Sequence, residues 1–433
     1  MNLRLEYFET ADQELALRRE SLADIDFYKY TMGQWILENG LGGTEVTFEL
    51  IVRDPNIKLA QVIPENELRE ALDRKRDLRH LPVEIKFLRD MQADGKNVFG
   101  ERYLQFLERF QLPPYELKRE GDQYHLTFTG KWIEVTMWET IALAVISELY
   151  YTKLGEGHLT TDEYVAMLKK ASDKLYRKLD RIAQYPGIRF SDFCQRRRNS
   201  FMWQKFAVGV AKSALPKQFI GTSNTWMAMH HNVPVVGTMA HEIFMVLAAL
   251  ARSGGDLRDS QYRVLARWME LYGPKFRVFL ADTYRTPEFL KHAPAWIAHH
   301  YSGMRLDSGN LAHNGHLYID WLKGHGVDPM ERFVVPSDGL DDEDMIRLHL
   351  EFQDKIDHFF GWGTLFGNDF RDCAPPSLIG FRPFSVVCKV TRVAGRHAVK
   401  LSDNRGKETG PKIEVDRYKG TFGIQDVNTQ PIV

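Results

Sequence analysis

Apolar and polar positions alternate with a period of two between residues 46 and 52. Val46, Phe48, Leu50 and Val52 take turns with Thr47, Glu49 and Ile51, which predicts a strand with one face in a core. Residues 65–80 are densely charged and include Arg74, Lys75 and Arg76. They read as the solvated face of a helix rather than as an anion-binding patch. Apolar residues in 126–129 and 132–137, separated by Gly130 and Lys131, predict a hairpin. Residues 140–153 are apolar on most sides, which predicts a buried helix.

The texture changes near residue 185. Short apolar runs now end in small or polar residues, with helical stretches between them. The run ends are GIRFSDF (187–193), FIGTSN (219–224), VPVVGT (233–238), RVFLADTY (277–284), GMRLDSGN (303–310), RFVVPSDGL (332–340) and FFGWGT (359–364). Strands alternating with helices predict a parallel sheet with crossover connections. Seven such units approach a closed eight-stranded barrel, whose chemistry gathers at the C-terminal ends of its strands. After residue 384, FSVVCKVTRV and VKLSD suggest that the chain returns to its first unit. The expected organisation is α/β throughout. An N-terminal α/β domain (1–155) precedes a barrel (156–383), and a C-terminal segment (384–433) completes the first domain.

Composition narrows the class. Of 433 residues, 44% are hydrophobic and 12% aromatic, ample for a large core. With 57 basic and 58 acidic side chains, the net charge is -1. There is no bulk attraction to nucleic acid or to an anionic membrane, so any anion must be held by a local cluster. Three widely spaced cysteines, Cys194, Cys373 and Cys388, contain no CxxC and fit a reducing compartment. The opening segment lacks a basic-flanked apolar core, which argues against a secretory signal. The longest apolar stretch, 141–149, is too short to span a membrane. A soluble, cytoplasmic protein is expected.

Candidate chemistry lies at the strand ends. Gly361, Gly363 and Thr364 in FGWGTLFGND could bring backbone N–H groups and a hydroxyl to a phosphate. Asp338 and Gly339 in PSDGL repeat that pattern one strand earlier. Arg305 and Asp307 are two apart and therefore point to one side, where they could hold a diphosphate and a ribose diol. The alternative is a structural ion pair. Asp282 adds a carboxylate to the same rim. His241 opens a helix whose dipole favours a neutral ring, competent as nucleophile or base. Arg196, Arg197 and Arg198 follow a strand and suggest an anion site, and Phe193 could stack on a flat ring. The pairs His230–His231 and His299–His300 diverge, and His313–His316 lacks a third ligand, so no zinc site is expected. The ATP-binding pattern GxxxxGK[ST] is absent.

In these segments the sequence resembles the nicotinate phosphoribosyltransferase family. The resemblance runs through DIDFYKYTMGQ (24–34), WETIALAVISELYY (138–151), SDFCQRRRNS (191–200) and GTSNTWMAMHHNVPVVGTMAHE (221–242). It continues through ADTYRT, GMRLDSGN, PSDGLD and FGWGTLFGND. It implies an irregular (β/α) barrel of the phosphoribosyltransferase type. The implied reaction joins nicotinate to phosphoribosyl pyrophosphate in NAD salvage, with Mg2+ as cofactor and ATP hydrolysis coupled through a phosphohistidine at His241. The resemblance places Asp282, Arg305 and Asp307 at the ribose and diphosphate, and Gly339, Gly361, Gly363 and Thr364 at the 5-phosphate. It places Arg196, Thr222 and Ser223 among the substrate contacts. The pyridine would lie between Phe193 and Tyr28 of a neighbouring subunit, since Asp26, Tyr28 and Lys29 would reach across a homodimer. Three positions depart from the family pattern. Cys194-Gln195 stands where Gly-Thr is usual, Asn310 ends a DSGD-like run, and Leu365-Phe366-Gly367 replaces Asn-Leu-Thr. Another base (nicotinamide, or quinolinate, against which the chain's length and GTMAHE argue), a silent regulatory barrel and a metal-dependent hydrolase are the rival readings.

Overall fold

The computed structural model describes residues 21–378, 380–404 and 407–424. The reading of the chain's opening as a non-secretory segment lies outside the described residues.

The first unit is built on a five-stranded antiparallel sheet. Its order is Arg396–His397, Val386–Val393, Glu45–Val52, Gln123–Lys131, Glu116–Glu120. The predicted alternation therefore forms a strand, with Val46 and Phe48 buried. Its partner comes from the far end of the chain, from Val46↔Val393 to Val52↔Val386. The hairpin, however, turns elsewhere than expected. Gln123–Lys131 pairs with Glu116–Glu120 around Gly121, whose φ of 61° suits a tight turn. Residues 132–135 are helical, because Trp132, Ile133 and Val135 are all buried and cannot share one face of a strand. The polar run Glu116–Glu120 had no alternating signal. It is an edge strand whose buried side chain is Leu117.

The charged helix Glu65–Arg76 buries Leu68, Ala71 and Leu72 and leaves most of its charges in solvent. Lys75 is an exception and reaches to 3.7 Å from buried Asp24. The apolar helix is Trp138–Gly155 and is buried on most sides, as its composition requires.

The second unit holds parallel strands in two sheets. One has the order Asp357–His358, Phe333–Pro336, Gly303–Leu306, Val278–Leu280; the other Phe360–Trp362, Phe190–Asp192, Phe219–Thr222. The chain passes from one sheet to the other at Phe359, whose N–H donates to Val334 O at 3.3 Å. The run VPVVGT is not a strand: it makes one bridge, Thr222↔Val235, since Pro234 has no N–H for a ladder. It presses so closely on the neighbouring strand that a Cβ at Gly221 would lie 2.2 Å from Pro234 O. VKLSD also departs from expectation. It does not join the antiparallel sheet but runs to the strand ends, where Leu401 N donates to Thr283 O at 2.9 Å. Among the described residues no helix is long and apolar enough to cross a membrane. All three cysteines are free and buried.

Candidate active site

The C-terminal ends of the parallel strands bring four of the predicted residues together. His241 begins the helix His241–Ala249. Its Nε2 lies 2.7 Å from Asp282 Oδ1 and 3.8 Å from Asp307 Oδ2. Arg305 Nη2 is 3.2 Å from Asp307 Oδ2, so the side chains two apart on Gly303–Leu306 and its extension do share a side. Ser308 Oγ donates to Asp282 Oδ2 at 2.7 Å and Ser337 Oγ to Asp307 Oδ1 at 2.8 Å.

Lys400, from the returning segment, lies 3.2 Å from Asp282 Oδ2. Burial pushes Asp282 upward, but His241 and Lys400 hold it well below the usual carboxylate range. Burial depresses the His241 ring to about 4, with Asp282 opposing and nearby Lys400 adding to the fall. The ring is thus neutral at pH 7, donating from Nε2 to an ionised Asp282 and leaving the Nδ1 lone pair for chemistry.

Several cations lie near this group. Arg197 falls to about 10 through burial and the charges of Arg196 and Arg53. Lys389 is driven well below the usual lysine range by burial, Lys400 and Arg53. Cations that depress one another in this way are suited to a polyanionic ligand, which would relieve them. Arg305 Nε is buried without a hydrogen-bond partner among the described residues, a further donor available to an anion. Arg53, Lys389 and Lys400 carried a weak sequence signal. A lysine inside the apolar run VVCKV is the clearest, since a charge on such a strand needs a reason to be there.

The three arginines have three fates. Arg196 lies 3.2 Å from Asp26 and its guanidinium sits 5.7 Å over the Tyr28 ring. Arg197 lies among the mutually depressed cations and donates to Val386 O at 3.1 Å. Arg198 is fully buried in a bidentate pair with Asp24, at 2.6 and 2.7 Å, and does not face a ligand.

Several expected substrate contacts are enclosed instead. Thr222 Oγ1 donates to Asp192 Oδ2 at 2.7 Å and is fully buried. Ser223 Oγ donates to Asp26 Oδ1 at 2.5 Å. The Lys29 ammonium is sealed between Glu139, Glu242 and Thr136, so it has no free face for a substrate. Tyr28 packs against Arg196 of its own chain.

Gly361 lies within the strand ladder opposite Ser191. A Cβ there would lie 2.4 Å from the Phe193 ring, so the glycine makes room for the aromatic side chain. Gly363 precedes the single turn Thr364–Gly367, and Gly339 adopts φ 65° in the preceding loop. Asp338 beside it pairs with Lys407.

The departures from the family pattern have local accounts. A Cβ at Gly367 would lie 2.1 Å from Cys194 Sγ. The glycine and the cysteine are therefore one change in space: the sulfur fills the room a side chain at 367 would need. Asn310 caps the helix Leu311–Gly324 by accepting from His313 N at 3.0 Å. Aspartate would cap equally well.

His241, Asp282 and Asp307 offer ligand atoms within 4.8 Å of one another. Asp282 is a poor metal ligand here, because both its oxygens are engaged and Lys400 adds positive charge beside it. Asp307 is half-buried, and its oxygens accept from Arg305 Nη2 at 3.2 Å and from Ser337 Oγ at 2.8 Å.

The N-terminal domain model of the nicotinate phosphoribosyltransferase (NAPRTase) family matches residues 23–147, and the family model itself matches residues 188–426. A solved nicotinate phosphoribosyltransferase from Porphyromonas gingivalis is similar at 25% identity and a TM-score of 0.82, over 94% of this chain and 100% of that one. Another, from Vibrio cholerae, is similar at 28% identity and a TM-score of 0.81, over 94% of each chain. With its family match covering more than half its length, this chain belongs to the nicotinate phosphoribosyltransferase family.

Proposed function

We propose that this protein transfers the phosphoribosyl group of phosphoribosyl pyrophosphate to nicotinate, and that ATP hydrolysis is coupled to the transfer through His241. The observation that carries this reading is the grouping of Arg305, Asp307, Asp282 and His241 beside mutually repelling cations at one set of strand ends. The strands form the wall of an irregular (β/α) barrel, with domains 1–155 and 156–383; of the last segment the strand Val386–Val393 rejoins the first. The enzyme acts in cytoplasmic NAD salvage. A homodimer belongs to this reading, although Asp26, Tyr28 and Arg196 meet within one chain.

In the transfer, the pyridine nitrogen lone pair forms a bond to C1 of the ribose as the bond from C1 to the pyrophosphate oxygen breaks. Positive charge builds on the sugar and negative charge on the leaving group. Arg305, Arg197, Arg53 and Lys389 stabilise the leaving diphosphate, and Asp307 serves the ribose and the Mg2+ that accompanies the substrate. Mg2+ neutralises the leaving group when bound. Gly339, Gly363 and Thr364 hold the 5-phosphate, and Arg196 faces the carboxylate of a base lying beside Phe193 and Tyr28.

For the coupling, His241 Nδ1 attacks the γ-phosphorus of ATP as the bond to the ADP oxygen breaks. The Nε2 proton stays on its bond to Asp282, and water later cleaves the N–P bond.

The test is pyrophosphate release with phosphoribosyl pyrophosphate and Mg2+, with nicotinate or nicotinamide, each with and without ATP. Release with nicotinate, stimulated by ATP, is expected. Release with nicotinamide alone would overturn the choice of base, and silence with both would overturn the activity.

A second expectation concerns pH. The neutral ring is the reactive form, so ATP hydrolysis persists above the ring's folded value and is lost as pH falls through it. With His241 near 4, hydrolysis should stay flat from pH 7 to about 5. A limb centred at the ordinary histidine value of 6.5 would refute the assignment.

A further inference from the structure

A line of alternating charges joins the base pocket to the helix that carries His241. Asp26 Oδ2 lies 3.2 Å from Arg196 Nε, and Arg196 Nη1 lies 3.8 Å from Glu139 Oε1. Glu139 Oε2 and Glu242 Oε2 are each 2.6 Å from the single ammonium of Lys29. Glu242 directly follows His241 in the first turn of its helix. Its other oxygen accepts from Trp132 Nε1 at 2.5 Å and Thr136 Oγ1 at 2.6 Å. Lys29 is wholly buried, and Asp26 and Glu242 nearly so.

Stability is a weak reason for such a line. Buried ion pairs lose in desolvation most of what they gain in attraction, and apolar replacements often hold a fold as well. The arrangement has a property that apolar packing lacks. Two carboxylates share one lysine, so what Lys29 gives to Glu242 it withdraws from Glu139. Glu139 in turn shares Arg196 with Asp26. In a poorly polarisable interior, a charge placed at one end is felt along the line.

We propose that this line couples the state of His241 to the grip of the base pocket on an anionic pyridine, with Lys29, Glu139 and Glu242 as positioning residues that touch no substrate. The proposal rests on the reading of His241 as the phosphate-accepting group. Added negative charge at His241 draws Lys29 towards Glu242. Glu139 is left less neutralised and pulls harder on Arg196, so the orientation of that guanidinium depends on His241. The coupling is reciprocal: a carboxylate bound at Arg196 alters the affinity of the His241 end by the same factor.

Glu242→Gln tests this, because it removes the charge with little change of shape. In the wild type, ATP should change the KM for nicotinate by at least about 5-fold, the lower end of usual coupling. In the variant the change should fall within about 2-fold, while ATP-independent turnover stays within about 2-fold of wild type and labelling of His241 from γ-labelled ATP persists. A purely structural role would not move the ratio of KM values with and without ATP. A labelled variant that keeps the wild-type ratio would overturn the line and leave the reading of His241 standing. A wild type that takes no label would overturn both. Thr136→Val removes one donor to Glu242 and should also lower the ratio. If Glu242→Gln fails to fold, an unchanged ratio in folded Thr136→Val overturns the proposal.

Discussion

Replacing Arg198 with Met is expected to destabilise the fold by about 3–5 kcal/mol, the usual cost of removing one partner from a buried ion pair. Arg198 donates to both oxygens of Asp24, at 2.6 and 2.7 Å, and to Gln204 Oε1 at 3.0 Å. Asp24 is itself buried, and burial pushes its carboxyl up, yet Arg198 and Lys75 hold it far below the usual range. Without Arg198 an ionised carboxylate remains in the interior with, among the described residues, Asn224 Nδ2 at 2.8 Å and the more distant Lys75. The pair also ties the chain at residue 24 to the strand ends that present Phe193 and Arg196. Its loss should therefore loosen the site as well as the fold. Denaturant unfolding followed by tryptophan fluorescence checks the first effect. A loss below about 1 kcal/mol would show that the pair is dispensable. The double variant Asp24→Leu with Arg198→Met should recover much of the loss, because no unpaired charge is left behind.

The second large effect is on chemistry. His241→Ala should lower ATP hydrolysis on the order of 10³-fold or more, as removal of a nucleophile does. A slow, ATP-independent transfer to nicotinate should remain, since the displacement at C1 needs no protein nucleophile. Asp282 then loses its imidazole partner but keeps Ser308 and Lys400, at 2.7 and 3.2 Å. The fold is accordingly expected to survive. Measuring ADP and nicotinate mononucleotide in the same reaction decides the matter. A variant that still hydrolyses ATP in step with product would remove His241 from the coupling.

Much of the site was legible in the sequence because its residues lie at strand ends, where an apolar run meets a polar one. Asp282, Arg305 and Asp307 follow that rule, and His241 opens a helix after a strand-like run. The same local logic failed where a residue's fate depends on what packs against it. Gly361 looks like a phosphate-loop glycine, yet the Phe193 ring occupies the place of its missing side chain. The resemblance, not a local pattern, singles out Thr222, Ser223 and Lys29, and each side chain is held by a buried partner. VPVVGT reads as a strand from its apolar residues, while Pro234 denies it a ladder.

The sequence alone indicated the antiparallel and parallel textures, the buried helix and the strand ends at which the polar residues collect. These follow from periodicity and from the chemistry of short segments, which act over a few residues. Tertiary structure alone decided which charge meets which. Asp24 and Arg198 are 174 residues apart, and Asp282 and Lys400 are 118 apart. Of three consecutive arginines, one pairs with Asp26 beside Tyr28, one lies among cations that depress it, and one is a buried strut. Ion pairing and pKa depend on distance and burial, and both are set by long-range contacts that no local pattern records.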